Sequence, residues 1–337
     1  MRLPPRLVRR VVIDPLVLLL CVALFVLSPL FLVVAAALDL NSKGRWPTVR
    51  LIALGITFLF REACGIVALF MLWIASGFGL AIRSRAFQKA HYTVLRWWLH
   101  GLYGAAERRL GLDVEIEARQ APRSGPVLVF SRHAGAGDSI LLAHALMVAY
   151  KRHCRVVMKA ELQFDPVIDI AGNRCPNAFV RPNSMQGDKF VTAIGRLAKG
   201  LRGNEAIMLF PEGGNFTFSR WTNAIASLRK KGLTTQADQA EKMQHLLPPR
   251  PGGASAAITS AADADVVFVA HTGLEELNSF GAIRARIPLK EPIRSRYWRV
   301  GPSEIPPEGQ ERIDWLFEWW SKIDQWIHDR RSAEHTN

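Results

Sequence analysis

A histidine and an aspartate five residues apart, His133 and Asp138, follow an apolar run at residues 127–130. A histidine that a carboxylate orients is suited to act as a general base, because the carboxylate fixes the imidazole tautomer. Residues five apart lie about 140° apart on a continuous helix, so the pair meets only if the chain turns between them. Gly135 and Gly137 give the backbone that freedom. The alternative is that Asp138 only caps the next helix and His133 is an ordinary loop residue.

The elements that position this pair alternate between strand and helix patterns. The predicted strands are Val114 to Ala118, Val127 to Ser131, Arg155 to Lys159, Ala178 to Arg181, Ala206 to Phe210 and Val266 to Ala270. The predicted helices are Ser139 to Tyr150, Asp188 to Lys199, Asn223 to Lys231 and Thr235 to His245. This alternation predicts an α/β fold, a mixed sheet covered by helices. Residues 248–253, rich in proline and glycine, are predicted to form a loop.

Polar residues stand at the ends of several predicted strands, where open α/β sheets bind their ligands. His133 and Asp138 follow one strand, Lys159 ends the next, and Arg181 ends the third. The segment Glu212-Gly213-Gly214 follows a fourth. The sequence therefore predicts one polar site at this edge of the sheet.

Composition limits the partners. The 337 residues carry a formal net charge of +14, and 49% are hydrophobic. The charge favours anionic partners such as lipid headgroups or phosphorylated metabolites. No nucleic-acid-binding signature is present, so no nucleic acid partner is expected. The four cysteines form neither a CxxC motif nor a metal-ligand pattern, and no metal is expected.

Residues 1–90 are predicted to be a membrane anchor of two hydrophobic helices, Pro15 to Leu38 and Leu51 to Ile82, and residues 91–337 the catalytic domain. Alternatives are a cleaved signal peptide for the first helix and a re-entrant rather than a spanning hairpin. Arg61-Glu62 interrupts the second helix, either at the interface or in a protein-lined groove. Arginines flank both outer ends, which favours an inner (cell) membrane location with the catalytic domain facing the cytoplasm. The Trp-rich helix Ile313 to Ile327 is assigned either to the core or to the membrane interface.

Three further blocks follow the His133–Asp138 pair along the chain: Phe179-Val180-Arg181, Phe210-Pro211-Glu212-Gly213 and the apolar strand at 266–270. In this order, behind a membrane anchor, they resemble the glycerolipid acyltransferases, especially the lysophosphatidic acid (1-acyl-glycerol-3-phosphate) acyltransferases. The resemblance covers about Asp113 to Gly273. Two places depart from the family pattern. Gly214-Asn215-Phe216 replaces Thr-Arg-Ser, whose arginine helps to bind the acceptor phosphate, and Ala270-His271 replaces a Val-Pro signature.

The resemblance implies transfer of an acyl group from acyl-CoA or acyl carrier protein to a lysophospholipid hydroxyl, with no other cofactor. It implies that His133 is the base and that Asp138 orients it. Arg181, with Lys159 as the weaker candidate, would bind an anionic headgroup. Glu212 would bind glycerol hydroxyls or organise the turn of Gly213 and Gly214, whose N–H groups suit an oxyanion.

Three other functions stay open at this point. The same chemistry on another lysolipid acceptor fits the missing Thr-Arg-Ser. A membrane-bound metal phosphoesterase would use His133, Asp138, Glu212 and His271 as ligands. A non-catalytic membrane-remodelling protein would retain the motifs without using them.

Overall fold

The computed structural model describes residues 3–117, 124–135, 137–180, 187–275, 277 and 280–336. The described chain contains a seven-stranded sheet with the strand order β1-β7-β6-β2-β5-β3-β4. The strands are β1 (Val114–Glu117), β2 (Val127–Ser131), β3 (His153–Lys159), β4 (Ala178–Val180), β5 (Glu205–Leu209), β6 (Asp265–Thr272) and β7 (Ile293–Val300). Strands β6, β2, β5, β3 and β4 run parallel, whereas β7 is antiparallel to β6. The predicted mixed sheet is confirmed.

Strand β7 was missed by the sequence-based prediction. Its residues Arg294, Arg296 and Arg299 interrupt the apolar pattern, and only its two ends, Ile293 and Val300, are buried. The strand is held instead by its pairing with β6 on one side and with β1 on the other. Strand β7 is therefore defined by its backbone pairing, although its side-chain pattern does not predict a strand.

Helices cover both faces of the sheet. They are α1 (Arg6–Val8), α2 (Asp14–Val26), α3 (Ser28–Leu38), α4 (Pro47–Ala75), α5 (Arg85–Leu110), α6 (Asp138–His144), α7 (Pro166–Arg174), α8 (Asp188–Ala198), α9 (Phe218–Lys230), α10 (Thr234–Lys242), α11 (Pro251–Ser260), α12 (Phe280–Arg286) and α13 (Gln310–Thr336). Residues 9–13 join α1 to α2, and residues 145–149 extend α6, each as a π-helical turn.

The two faces of β2 belong to two different parts of the core. Leu128 and Phe130 pack with residues of α8, α11 and α13, whereas Val127 and Val129 pack with residues of α4, α5 and α7. Alternate residues of a strand point to opposite faces, and both faces of a parallel sheet are buried. The strand therefore anchors the loop that follows it from both sides.

The Trp-rich helix α13 is part of the core. Trp320 is fully buried, and the Trp319 ring stacks on Phe268 of β6 with a centroid distance of 4.5 Å. Of the two assignments open for this helix, the core assignment is the one that the packing supports.

The predicted loop at 248–253 is partly wrong, because α11 begins at Pro251 within it. Proline is well suited to the first turn of a helix, where no backbone donor is needed. Gly253 faces α8 so closely that a Cβ atom there would lie 2.7 Å from Ile194 Cδ1. The glycine here is a close-packing residue of a helix rather than a loop residue.

The N-terminal apolar region is helical over both predicted stretches. Helix α4 is long and apolar enough to cross a membrane. Residues 6–26 and α3 together pass the same test but meet at a bend of 56°, so they form either a broken span or a re-entrant loop. The two-helix membrane anchor stays a prediction.

Glu62 of α4 lies in a protein-lined groove. Its side chain is buried, and its two oxygens accept from the backbone N–H of Val167 (3.0 Å) and from Trp98 Nε1 (3.2 Å). The Val167 N–H belongs to the first turn of α7, where helices have no internal acceptors. Arg61 instead lies 4.1 Å over the Trp97 ring. The Arg-Glu pair therefore joins α4 to α5 and α7.

A second buried polar group fastens the N-terminus to α7. Asp169 is fully buried and accepts from Arg9 (2.9 and 3.0 Å) and Arg10 (2.6 Å). Asn173 donates to the same carboxylate at 2.7 Å. Because Arg9 is only 5% exposed, removing its partner would leave a buried charge without compensation.

We expect Asp169→Ala to lower the free energy of unfolding by about 3–5 kcal/mol, the usual cost of breaking a buried ion pair from one side. Urea unfolding of the full chain in detergent would measure this. Asp238→Ala removes an exposed carboxylate that pairs with Arg229 at 3.2 Å, and it should change stability little. Equal effects of the two substitutions would contradict the role given to Asp169.

Candidate active site

The loop between β2 and α6 folds around the carboxylate of Asp138. Oδ2 accepts from His133 Nδ1 at 2.8 Å and from the backbone N–H groups of Ala134 (2.8 Å) and Gly135 (3.2 Å). Oδ1 accepts from the Ser139 N–H at 2.6 Å. Gly137, with φ +130°, makes the turn that brings the aspartate back over the loop. The geometry joins the two residues that the spacing predicted would meet.

Asp138 does not act as the helix cap that the alternative assigned to it. The N-cap position of α6 is Gly137, and Asp138 is the first residue of the helix. Its Oδ1 accepts from the N–H of Ser139, the second helical residue, but its Oδ2 turns back to His133, Ala134 and Gly135, so most of its contacts are with the loop rather than with the helix. Its negative charge in the first turn still suits the helix dipole.

The carboxylate determines which imidazole nitrogen is free. Burial alone would raise the pKa of Asp138, but the hydrogen bond and positive charge from His133 hold that pKa below its ordinary value. The ionised carboxylate can only accept, so His133 Nδ1 carries a proton when the ring is neutral. Nε2 then has its lone pair available, and it makes no hydrogen bond with a described residue. This is the tautomer that a general base requires.

Glu212 binds the same loop from the neighbouring strand. It follows β5, which pairs with β2, and its Oε1 accepts from the His133 backbone N–H at 2.8 Å. Its Oε2 accepts from the Leu247 N–H at 3.0 Å. Burial raises the pKa of this carboxyl to about 8. Glu212 therefore positions the backbone of His133. Its side chain is too deeply buried to act as a solvent-exposed binding group.

The glycine-rich turn after Glu212 lies against His133. The Phe216 N–H donates to the His133 carbonyl oxygen at 3.3 Å, while the Gly213 N–H is used by the Phe210 carbonyl oxygen at 3.0 Å. The Gly214 N–H makes no hydrogen bond with a described residue. Of the two amides suggested for an oxyanion, Gly214 is the one that is unoccupied within the described chain.

Arg132 and Glu275 form a buried ion pair next to the dyad, which the sequence analysis missed. The Arg132 guanidinium is 1% exposed and bonds to the Glu275 carboxylate. Burial would raise the pKa of Glu275, but Arg132 lowers it to about 2. An arginine next to the motif histidine is a weak signal for such a pair, because its acidic partner lies far away along the chain.

An apolar cavity of about 150 Å³ opens beside Asp138, between α6 and strands β1, β2, β6 and β7. Its walls are mostly aliphatic, with Leu141, Leu142 and Val269 among them. His271 also lines it. Burial lowers the pKa of this imidazole to about 4, so it is neutral at pH 7, and neither ring nitrogen has a hydrogen-bond partner in the described chain.

A larger cleft of about 590 Å³ opens beside the turn that follows β5. The turn of Glu212, Gly213 and Gly214 forms part of its wall, together with Arg220 and Arg250. Asp138 lines the apolar cavity and Glu212 lines this cleft, so each of the two spaces has in its wall a carboxyl group that is hydrogen-bonded to His133. Arg250 was missed from the sequence, because its place beside the turn depends on the path of the chain from α10 to α11.

The structure brings His133, Asp138, Glu212, Gly213 and Gly214 together. Lys159 is exposed at the end of β3 and lines neither the cavity nor the cleft. Arg181 lies outside the described residues, so its role stays a prediction. No group of three or more His, Cys, Asp or Glu residues in the described ranges is arranged to hold a metal ion.

Residues 113–271 match the family model described as Acyltransferase. The match covers the region that holds the four motifs, and the resemblance predicted from them is confirmed. The chain is also similar in structure to a 1-acyl-sn-glycerophosphate (LPA) acyltransferase, PlsC, from Thermotoga maritima. The two share 16% sequence identity, with a TM-score of 0.49 over 85% of this chain and 98% of the other. No curated protein matches the sequence.

We expect Asp138→Asn to reduce turnover by about 10³–10⁴-fold. An asparagine has one acceptor oxygen and no charge, so it cannot stabilise the imidazolium as the carboxylate does. If its oxygen faces the Ser139 N–H, its NH₂ group takes the place of Oδ2 and donates to His133 Nδ1, which selects the unproductive tautomer. Steady-state turnover with any accepted substrate pair would measure the loss, and unfolding curves would check that the fold survives. Activity within tenfold of wild type would contradict the dyad.

Glu212 should make stability depend on pH. Its pKa rises from 4.5 to about 8 on folding, so the native chain keeps a proton that the unfolded chain releases. Its contribution to stability is therefore complete below about pH 4.5 and falls as pH rises towards 8, by at most about 1.4 kcal/mol per pH unit. Urea unfolding at several pH values should show a shallower pH dependence for Glu212→Gln than for wild type. Identical slopes would contradict the raised pKa.

Proposed function

We propose that the protein is a membrane-bound O-acyltransferase that transfers a fatty acyl group from acyl-CoA or acyl carrier protein to the free hydroxyl of 1-acyl-glycerol-3-phosphate, giving phosphatidic acid in phospholipid synthesis. The observation that carries the proposal is the 2.8 Å contact between His133 Nδ1 and Asp138 Oδ2, which leaves Nε2 without a hydrogen-bond partner among the described residues. The acyltransferase family match agrees with this chemistry.

In the proposed reaction His133 Nε2 removes the proton of the acceptor hydroxyl as its oxygen attacks the thioester carbonyl. The resulting imidazolium is stabilised by the Asp138 carboxylate. When the tetrahedral intermediate collapses, the carbon–sulfur bond breaks and the imidazolium returns the proton to the thiolate. The nucleophile belongs to the substrate, so the protein needs no catalytic serine or cysteine of its own.

The apolar cavity suits the acyl chain. It is lined by aliphatic side chains and starts at Asp138, so a chain bound there would place its carbonyl carbon next to His133. The Gly214 N–H is the candidate donor to the oxygen that becomes negative. Binding the acyl chain in the cavity and the acceptor in the cleft would bring the hydroxyl and the thioester together in a defined orientation.

The exposed apolar surface of the N-terminal helices supports a membrane location. Leu16, Leu19 and Leu20 of α2 are all more than half exposed, and Leu80, in the turn after α4, is 95% exposed. Such a surface is unfavourable in water and suits a bilayer. A lysolipid acceptor could then reach the site laterally from the headgroup region.

The acceptor is the part of the proposal with an alternative, another lysolipid. Gly214-Asn215-Phe216 stands in place of Thr-Arg-Ser, so Asn215 occupies the position of the arginine that helps to bind the acceptor phosphate in the family pattern. This replacement changes the groups available to bind the acceptor but leaves the dyad intact.

We expect His133→Ala to lower acyl transfer by about 10²–10⁴-fold, the usual contribution of a general base. Purified wild type and variant would be given radiolabelled acyl-CoA with 1-acyl-glycerol-3-phosphate, other lysophospholipids and glycerol 3-phosphate. His100→Ala, which changes an exposed histidine of α5, is the matched control and should leave transfer unchanged. Wild-type transfer by His133→Ala would refute the mechanism, and transfer only to another acceptor would replace the proposed substrate.

A further inference from the structure

Two arginines pack directly on the glycine-rich turn from outside it. A Cβ atom at Gly214 would lie 3.2 Å from Arg220 Nη1 of α9, and a Cβ atom at Gly213 would lie 3.1 Å from Arg250 Cζ. Glycine at both positions lets the guanidinium groups approach the turn. A larger side chain at either position would push an arginine away.

The two guanidinium groups lack acidic partners in the described chain. Arg220 donates only to the Asn215 carbonyl oxygen, at 3.1 Å, and Arg250 makes no side-chain hydrogen bond with a described residue. By contrast, Arg229 on the same helix bonds to Glu241 at 2.8 Å and to Asp238 at 3.2 Å. Arg229 therefore has acidic partners, whereas Arg220, at the other end of α9, has none among the described residues.

The surrounding cleft is strongly cationic. Its charged lining residues are Arg220, Lys231, Arg250 and Glu212. Burial raises the pKa of Glu212 to about 8, so this single acid is mostly protonated at neutral pH. Burial of the guanidinium lowers the pKa of Arg250, and the nearby charge of Arg220 lowers it further, so the two cations repel each other. An anion in the cleft would remove that cost.

The cleft reaches the His133 loop through Glu212, which lines the cleft and accepts from the His133 backbone N–H. A ligand held by Arg220 and Arg250 would therefore lie on the same turn that contacts the base. Guanidinium groups bind phosphate oxygens in pairs of parallel hydrogen bonds, which fixes orientation as well as position.

We propose that Arg220 and Arg250 form a clamp that binds a phosphate group of a substrate, in place of the arginine that this turn lacks. The inference rests on the proposed function only for calling the phosphate a substrate group. That group is either the phosphate of a lipid acceptor or a phosphate of a coenzyme A donor, and both have the same chemistry.

The test is binding to the full chain in detergent, measured by titration calorimetry with coenzyme A, glycerol 3-phosphate and glycerol. Arg220→Gln and Arg250→Gln are compared with the matched control Arg229→Gln. We expect each clamp variant to bind at least one phosphate probe about tenfold or more weakly, and the control and the uncharged probe to show no change. A loss confined to coenzyme A would assign the clamp to the donor, and a loss confined to glycerol 3-phosphate would assign it to the acceptor.

Unchanged affinity of both clamp variants for every phosphate probe would overturn the proposal, as would an equal loss in Arg229→Gln. Arg250→Lys keeps the charge without the paired donors and should recover only part of the affinity. Because binding needs no turnover, the clamp and the acyl-transfer proposal can fail separately. Weakened phosphate binding in a protein that acylates no acceptor would uphold the clamp and refute the proposed function.

Discussion

The buried carboxylate of Glu212 is the interaction on which the site depends. Its two oxygens hold the backbone N–H of His133 and that of Leu247, and so join the loop after β2 to the chain that leads into α11. Both N–H groups would otherwise be buried without acceptors, which is costly. The same side chain begins the turn that lines the cleft. One residue thereby positions the base, closes the back of the loop and places the turn beside the two arginines.

Much of this could be predicted from the sequence, because the necessary signals are local. An apolar strand followed by a glycine-containing loop predicted β2, and the histidine and aspartate in that loop do meet. The close contact of Glu212 with His133 required one further fact, that β2 and β5 are neighbours. Strand order is a long-range property that no single segment encodes, although the shared edge of a parallel sheet made the meeting reasonable.

The features that could not be predicted depend on tertiary packing. Strand β7 carries an arginine-rich pattern and is stabilised by pairing with β6, so its own side chains give little strand signal. Helix α11 begins with Pro251-Gly252-Gly253, which is typical of a loop, yet Gly253 is required by the contact with Ile194. Arg250 precedes this helix, and its position beside Gly213 follows from where α11 packs. The missed strand, the missed helix and the missed arginine share this cause.

The apolar cavity and the cationic cleft are lined by different residues, and this arrangement has a chemical consequence. A transfer reaction between two bound substrates gains most when each is held independently and the reacting atoms meet at one base. Here the apolar cavity begins at Asp138, the cationic cleft begins at Glu212, and each of these carboxylates holds His133 by a different atom, Asp138 by the ring and Glu212 by the backbone. His133 is therefore held by one residue from the wall of each space. Under the proposed function, an aliphatic chain would be recognised in the cavity and a phosphate in the cleft, so acceptor specificity can change in the cleft while the dyad stays the same. The replacement of Thr-Arg-Ser by Gly-Asn-Phe is a change of this kind, because it alters the cleft and leaves every contact of Asp138 in place.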